Sequence, residues 1–193
     1  MFLHPFPILL SLMPLQNNIN ICPFYIKMIS NFDIEDIASH YHFNVIIAMK
    51  DELKNMKPIN GNYVINLESS NIGNGTHWMG LQIEEANCVY FDSYGYLPPE
   101  EIISFCKRIN GSHLAYNTKQ IQDLSAKTCG FFAIGFLIYL HINASDSLYK
   151  RSDCFSHLFS LDTKLNNKKL QQFFRLLPNN DSLPVLKKLY SQK

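Results

Sequence analysis

The sequence of 193 residues lacks several features that would place it in a specialised class of protein. It has no internal repeat, no low-complexity tract and no Gly/Ser-rich linker, which argues against a solenoid or a string of tethered domains. Its five cysteines are odd in number and not closely paired, so free thiols in a reducing compartment are expected rather than a disulfide framework. The composition is otherwise that of a globular protein, and the length suits one domain.

The apolar start of the chain is too short and too broken to span a bilayer. The first fifteen residues are apolar but include Pro5, Pro7 and Pro14. They carry neither a basic n-region nor an A-x-A-like cleavage site, which disfavours a signal peptide. We therefore expect residues 1–27 to be an apolar N-terminal extension, or to precede a functional start at Met28, and residues 28–193 to form a single domain.

Charge is nearly balanced overall but uneven along the chain. The formal net charge is +1, whereas residues 164–193 hold seven Lys or Arg residues and a single acid, Asp181. We interpret this excess as the solvated faces of terminal helices, with a weak nucleic-acid contact through the basic C-terminal segment as the alternative. Aromatic residues are too sparse among these basic residues to indicate a dedicated nucleic-acid-binding protein.

The spacing of apolar and turn-forming residues predicts an α+β fold. A first helix, capped by Ser30 or Asn31, is followed by short segments rich in β-branched and aromatic residues, which are typical of strands. Strands are expected at 44–49, 62–67, 77–83, 88–93 and 113–118, and further helices at 97–109, 129–142 and 165–177, the last ended by Pro178. Because segment 129–142 is apolar on every side, it should be a helix buried in the centre of the fold.

Several side chains stand at positions that suit covalent catalysis. Cys129 opens the central helix, where unpaired N–H groups and the helix dipole favour a thiolate nucleophile. His77 begins one strand and Asp92 ends the next, so antiparallel pairing would bring the two together. Gln122 lies on a loop from which its amide could reach an oxyanion beside the Cys129 N–H, and Gly130 would leave room for a substrate backbone. A thiol, a base, an orienting acid and an oxyanion donor are the parts of a cysteine protease.

The combination of motifs is more specific than any single residue, each of which alone is also typical of a core or turn position. The pattern His-Trp, then Asp-Ser-Tyr-Gly, then Gln-x6-Cys-Gly-x-Phe resembles adenovirus-type endopeptidases (adenain) and the related SUMO- and ubiquitin-like-protein-specific cysteine proteases. The resemblance covers about residues 28–140. It implies a papain-like cysteine protease fold of the adenain type, in which a central buried helix bearing the nucleophile packs against a mixed or antiparallel sheet bearing His and Asp.

The resemblance also implies a role for each residue of the motifs. His77 would be the general base, Asp92 its orienting acid and Cys129 the nucleophile. Gln122 would donate to the oxyanion, and Trp78 would roof a narrow channel that favours small residues, typically glycine, before the scissile bond.

Two departures from the adenovirus pattern bear on regulation. The acid is Asp92, as in the SUMO-protease branch, whereas adenovirus enzymes commonly carry Glu. Adenovirus enzymes are also strongly basic and use DNA and a disulfide-linked peptide as activators. This chain is near neutral, has Gly111 where the bridging cysteine would stand, and has Cys106 as the nearest thiol. We therefore expect no cofactor. We also expect no metal, because the Cys and His residues lack two pairs with ligand spacing.

The function implied by the resemblance is that of a monomeric endopeptidase that cleaves after small residues. The chain is similar in size to proteases of adenovirus-related DNA viruses, virophages and Polinton-type elements, which implies that it cleaves capsid precursors. We expect it to act in the virion and the host cytoplasm, without a membrane. One alternative is an isopeptidase that removes ubiquitin- or SUMO-like modifiers, and another is an inactive virion structural or binding module. A zinc site at Cys154-x2-His157 is a further alternative, although no second pair of ligands has matching spacing.

Overall fold

The computed structural model describes residues 28–73 and 75–176. The predictions made for residues 1–27, for the helix end at Pro178 and for the basic residues after 176 lie outside these described residues. Eleven elements follow one another: α1 (Asn31–His40), β1 (Val45–Met49), a 3₁₀ helix (Lys50–Lys54), β2 (Gly61–Asn66), β3 (Trp78–Glu84), β4 (Asn87–Phe91), α2 (Glu100–Lys107), β5 (His113–Tyr116), α3 (Cys129–Ile142), α4 (Leu148–His157) and α5 (Thr163–Leu176).

The predicted α+β fold is confirmed, with a buried helix packed against a mixed sheet. Each predicted strand is present within one or two residues of its expected bounds. Two elements were not delineated from the sequence. They are the 3₁₀ helix after β1, and α4, whose first turn is capped by the Ser147 hydroxyl.

The five strands lie in the order β1-β2-β3-β4-β5. The three central strands are antiparallel, whereas β1 runs parallel to β2 and β5 parallel to β4. A tight turn at Glu85, which has a positive φ of 55°, joins β3 to β4. In the resulting register Gly80 pairs with Phe91, so the start of β3 lies beside the end of β4.

The sheet separates two apolar layers. Helices α1, α3, α4 and α5 pack on one face, against inward-facing residues such as Val64, Val89 and Phe91. The opposite face is covered by α2 and the 3₁₀ helix, with Tyr63, Tyr90 and Phe105 in its core. Alternation of side chains along β4 therefore fills both layers, which explains why this strand is almost wholly apolar.

Helix α3 is buried along nearly its whole length, as its apolar sequence predicts. All of its residues up to Leu140 are buried, and the guanidinium of Arg151 donates to the Leu140 carbonyl near the end of the helix (2.7 Å). The helix approaches β3 closely at Gly80, where an added Cβ would lie 3.1 Å from the Phe136 ring and 3.4 Å from the Ala133 carbonyl oxygen. Glycine at position 80 thus sets the distance between the helix and the sheet. None of the helices in the described part of the chain is long and apolar enough to cross a membrane.

We expect Gly80→Ala to destabilise the protein by about 1–3 kcal/mol, because the new methyl group would press on a buried ring that has little room to move. Urea unfolding followed by circular dichroism would measure the loss. Phe136→Leu supplies the matched background, since it removes the ring atoms that the methyl group meets. The cost of Gly80→Ala should be smaller in that background, and equal costs in both backgrounds would contradict the close-approach explanation.

Candidate active site

His77 and Asp92 form a buried hydrogen-bonded pair at one edge of the helix–sheet interface. His77 immediately precedes β3 and Asp92 immediately follows β4, and the antiparallel register places Nε2 of the imidazole 2.8 Å from Oδ2 of the carboxylate. The imidazole is 5% exposed and the carboxylate fully buried. The Tyr94 backbone N–H donates to the other carboxylate oxygen (2.7 Å), and the Tyr90 hydroxyl donates to Oδ2 (3.3 Å). These partners fix the carboxylate, which in turn fixes the imidazole plane.

Cys129 lies beside the imidazole, at the first residue of α3. Its side chain is close enough to His77 for each group to shift the pKa of the other. The Nδ1 atom of His77 is buried and makes no hydrogen bond among the described residues, so this ring nitrogen is available to the thiol. Cys129 is 7% exposed and lines a cleft of about 490 Å³ together with Trp78 and Lys127. A substrate could therefore reach the thiol although most of the side chain is buried.

The charges in this cluster favour a thiolate–imidazolium pair. Burial by itself lowers the pKa of the His77 imidazole. The hydrogen bond to Asp92, the nearby Cys129 thiol and the negative charges of both groups outweigh burial and raise the pKa to about 9. Burial by itself raises the pKa of the Cys129 thiol. The His77 ring and the backbone N–H groups of Trp78 and Gly130 outweigh that effect, so the thiol pKa lies below its ordinary value. Between the two pKa values the sulfur is negative and the imidazole positive.

A turn of residues 92–95 holds the pair in place. The Gly95 N–H donates to the Asp92 carbonyl (2.9 Å), and Gly95 has a φ of 74°, which favours glycine. The Asn117 side chain pairs with the Asp92 backbone, accepting from its N–H (2.8 Å) and donating to its carbonyl (2.7 Å). Asn117 was not identified from the sequence, because a residue 25 positions away carries no local signal of this contact.

Gln122 joins the same cluster but faces acceptors of the protein itself. Its fully buried amide nitrogen donates to the Ala126 carbonyl (2.6 Å) and to the Tyr94 hydroxyl (3.1 Å), and its oxygen accepts from the Ser93 hydroxyl (2.6 Å). Both N–H bonds are thus engaged, and one would have to turn away before Gln122 could donate to an oxyanion. The oxyanion role of Gln122 stays a prediction.

Trp78 lines the cleft beside Cys129, and Gly130 follows Cys129 in α3 and lies next to the Trp78 ring. The Trp78 indole N–H donates to the Ile29 carbonyl (3.1 Å), which ties the ring to the residues before α1. The space beside Gly130 is filled by Ile29, whose Cγ1 and Cδ1 atoms an added Cβ would overlap. In this structure the missing side chain of Gly130 accommodates Ile29, and the substrate-binding roles of Trp78 and Gly130 stay predictions. Ile29 was not identified from the sequence.

The other cysteines of the described residues are not part of the cluster. Cys88 and Cys106 are buried beside each other in the layer on the opposite face of the sheet, and Cys154 is half-buried on α4. His157 follows Cys154 on the same helix. Within residues 28–73 and 75–176, no group of three or more His, Cys, Asp or Glu side chains is arranged to hold a metal ion.

Comparison of the sequence with protein-family models and with curated proteins finds no match. The structure, however, resembles the crystal structure of ASFV pS273R protease, with a TM-score of 0.52 and 16% sequence identity. The overlap covers 77% of this chain and 66% of that protease, just under two thirds of its length. The chain therefore has the fold of this protease, and at this identity the likeness concerns the fold alone.

Two further structures overlap more loosely. AvrA delL154 with IP6 and CoA has a TM-score of 0.43 and 16% identity, over 82% of this chain and 73% of that chain. ChlaDub1 from Chlamydia trachomatis has a TM-score of 0.40 and 16% identity, over 86% of this chain and 82% of that chain. Overlaps with such TM-scores do not establish a shared fold.

We expect iodoacetamide at neutral pH to alkylate Cys129 faster than Cys154, although Cys154 is the more exposed thiol. The rate at Cys129 should fall as the pH is lowered through its depressed pKa, because the thiolate is then protonated. In His77→Ala the midpoint should move to higher pH, since the imidazolium no longer stabilises the thiolate. Peptide mapping by mass spectrometry measures each site. Faster labelling of Cys154, or an unchanged midpoint in His77→Ala, would contradict the ion pair.

Proposed function

We propose that this protein is a cysteine endopeptidase in which Cys129 is the nucleophile, His77 the general acid and base, and Asp92 the residue that orients His77. The single observation that carries the proposal is the position of the His77 ring. One ring nitrogen is held by buried Asp92 at 2.8 Å, and the other is left for the thiol at the start of α3. The shared fold with ASFV pS273R protease supports the proposal.

The geometry suits acyl transfer through a thioester. The Cys129 thiolate would attack a peptide carbonyl carbon, forming a C–S bond while the π electrons move to the oxygen as an oxyanion. The oxyanion would be held near the N-terminus of α3 by backbone N–H groups, and by Gln122 once one of its N–H bonds turns from Ala126 or Tyr94. Collapse of the oxyanion breaks the C–N bond, and the His77 imidazolium gives its proton to the departing amine.

The second half of the reaction uses the same residues. His77, now neutral, would take a proton from a water molecule as the water oxygen attacks the thioester carbonyl. The new tetrahedral intermediate then breaks its C–S bond and releases a carboxylic acid and the Cys129 thiolate. Asp92 keeps the imidazole in one orientation and stabilises its positive charge throughout.

We propose that the substrate carries a small residue, typically glycine, before the scissile bond. Trp78 and Ile29 line the cleft next to Cys129, and the indole is fixed by its bond to the Ile29 carbonyl. A bulky side chain beside the nucleophile would meet these two residues. The motif resemblance supports capsid precursors as the natural substrates, cleaved during virion maturation.

We expect Cys129→Ala and His77→Ala to abolish cleavage of a peptide that contains a glycine before the scissile bond. Asp92→Asn should lower kcat by about 10²- to 10⁴-fold, because the imidazole loses the charge that orients it. Gln122→Ala should lower kcat by about 10²- to 10³-fold, the usual cost of removing an oxyanion donor. Hydrolysis of a fluorogenic peptide measures all four variants, with Cys154→Ala as the matched thiol control. Full activity in Cys129→Ala would refute the proposal.

Substrate class can be tested by parallel incubations with purified capsid precursors and with ubiquitin-like proteins fused through a C-terminal glycine. We expect cleavage of the precursors after glycine and much slower cleavage of the fusions. Gel electrophoresis and N-terminal sequencing identify the products, and Cys129→Ala serves as the inactive control. Selective cleavage of the fusions would instead assign the protein as an isopeptidase for such modifiers.

A further inference from the structure

Tyr94, the third residue of the turn 92–95, touches three of the proposed catalytic side chains. Its ring stacks on the His77 imidazole, with centroids 4.7 Å apart and planes inclined by 21°. Its backbone N–H donates to Asp92 Oδ1 (2.7 Å), and its hydroxyl accepts from the Gln122 amide nitrogen (3.1 Å). We propose that Tyr94 is a positioning residue that aligns the base with the oxyanion donor. This inference rests on the proposed function.

The tyrosine ring acts on the base in two ways. A protonated imidazole stacked on an aromatic face is stabilised by the electron density of that face. The stack also restricts rotation of the imidazole plane, and any such rotation would carry Nε2 away from Asp92 and Nδ1 away from Cys129 together. Tyr94 is half-buried, so its ring also shields one face of the imidazole from water.

The tyrosine hydroxyl acts on the amide. Ser93 donates to the oxygen of the Gln122 amide, which fixes the nitrogen on the side of Tyr94 and Ala126. The Tyr94 hydroxyl can itself donate towards the Ala126 carbonyl, 3.4 Å away. If Gln122 turns one N–H from this carbonyl to an oxyanion, the tyrosine can still satisfy the carbonyl. The exchange then leaves the Ala126 carbonyl with a partner, whereas an unpaired buried carbonyl would oppose the movement of Gln122.

Two substitutions separate the ring from the hydroxyl. Tyr94→Phe keeps the stack and removes the hydroxyl, whereas Tyr94→Leu removes both. Tyr116→Phe and Tyr116→Leu are matched controls, because Tyr116 is 47% exposed on β5 and lies outside the turn 92–95. Circular dichroism and thermal unfolding establish whether each variant is folded. If Tyr94→Leu does not fold, Tyr94→Phe still tests the role of the hydroxyl.

The first measurement is the pH midpoint of Cys129 alkylation, which needs no substrate. Tyr94→Leu should raise the midpoint by about 0.5–1 pH unit, because a less stable imidazolium supports the thiolate less well. Tyr94→Phe and both Tyr116 variants should leave it within about 0.2 pH unit of the parent protein, a shift too small to reflect loss of a stacked cation. An unchanged midpoint in Tyr94→Leu would overturn the role of the ring.

The second measurement is peptide hydrolysis in single and double variants. Tyr94→Phe should lower kcat about tenfold with KM unchanged, as expected for loss of one hydrogen bond that matters in the transition state. In the Gln122→Ala background the same substitution should have no further effect, because the amide it positions is gone. Independent, multiplicative losses would overturn the coupling. If the parent protein cleaves no substrate while the alkylation midpoint moves as expected, the proposed function fails and the contact of Tyr94 with His77 stands.

Discussion

The geometry of the candidate site depends on how closely α3 can lie on β3. Gly80 has no side chain where the strand meets Phe136 and the Ala133 carbonyl, so the helix and the strand approach to van der Waals contact. His77 stands three residues before Gly80, and Cys129 four residues before Ala133. The same close approach therefore brings the histidine and the cysteine together. A larger residue at position 80 would separate the layers and, with them, His77 and Cys129.

A second constraint is the turn 92–95, to which most of the polar contacts of the site lead. Asp92 accepts from the His77 imidazole, Ser93 holds the Gln122 backbone and side chain, and Tyr94 touches both His77 and Gln122. Asn117 secures the turn by pairing with the backbone of its first residue. Four consecutive residues thus link His77 to the loop before Cys129. A change in the conformation of this turn would therefore displace both His77 and Gln122.

The burial of charge explains why these contacts are so numerous. A carboxylate that is fully buried is costly unless several donors satisfy it, and Asp92 accepts from His77, Tyr90 and the Tyr94 N–H. The low exposure of the cluster also strengthens the attraction between thiolate and imidazolium, which solvent would otherwise screen. The site is thus a polar cluster in apolar surroundings. The apolar residues of α3 form part of these surroundings and hold the thiol against the edge of the sheet.

The sequence by itself determined the class of the fold and the types of residue in the site. Apolar residues on all sides of α3 required its burial, and the alternation of strands and turns predicted the β3–β4 pair that joins His77 to Asp92, because both patterns reflect local geometry. Tertiary structure alone decided the rest. Pairing of Asn117 with Asp92, insertion of Ile29 beside Gly130 and the hydrogen bonds that engage Gln122 join residues distant in the chain. For Gln122 the distant partners are Ser93 and Tyr94, whereas Ala126 is only four residues away. The distant contacts depend on how layers and loops pack, and no local periodicity encodes them.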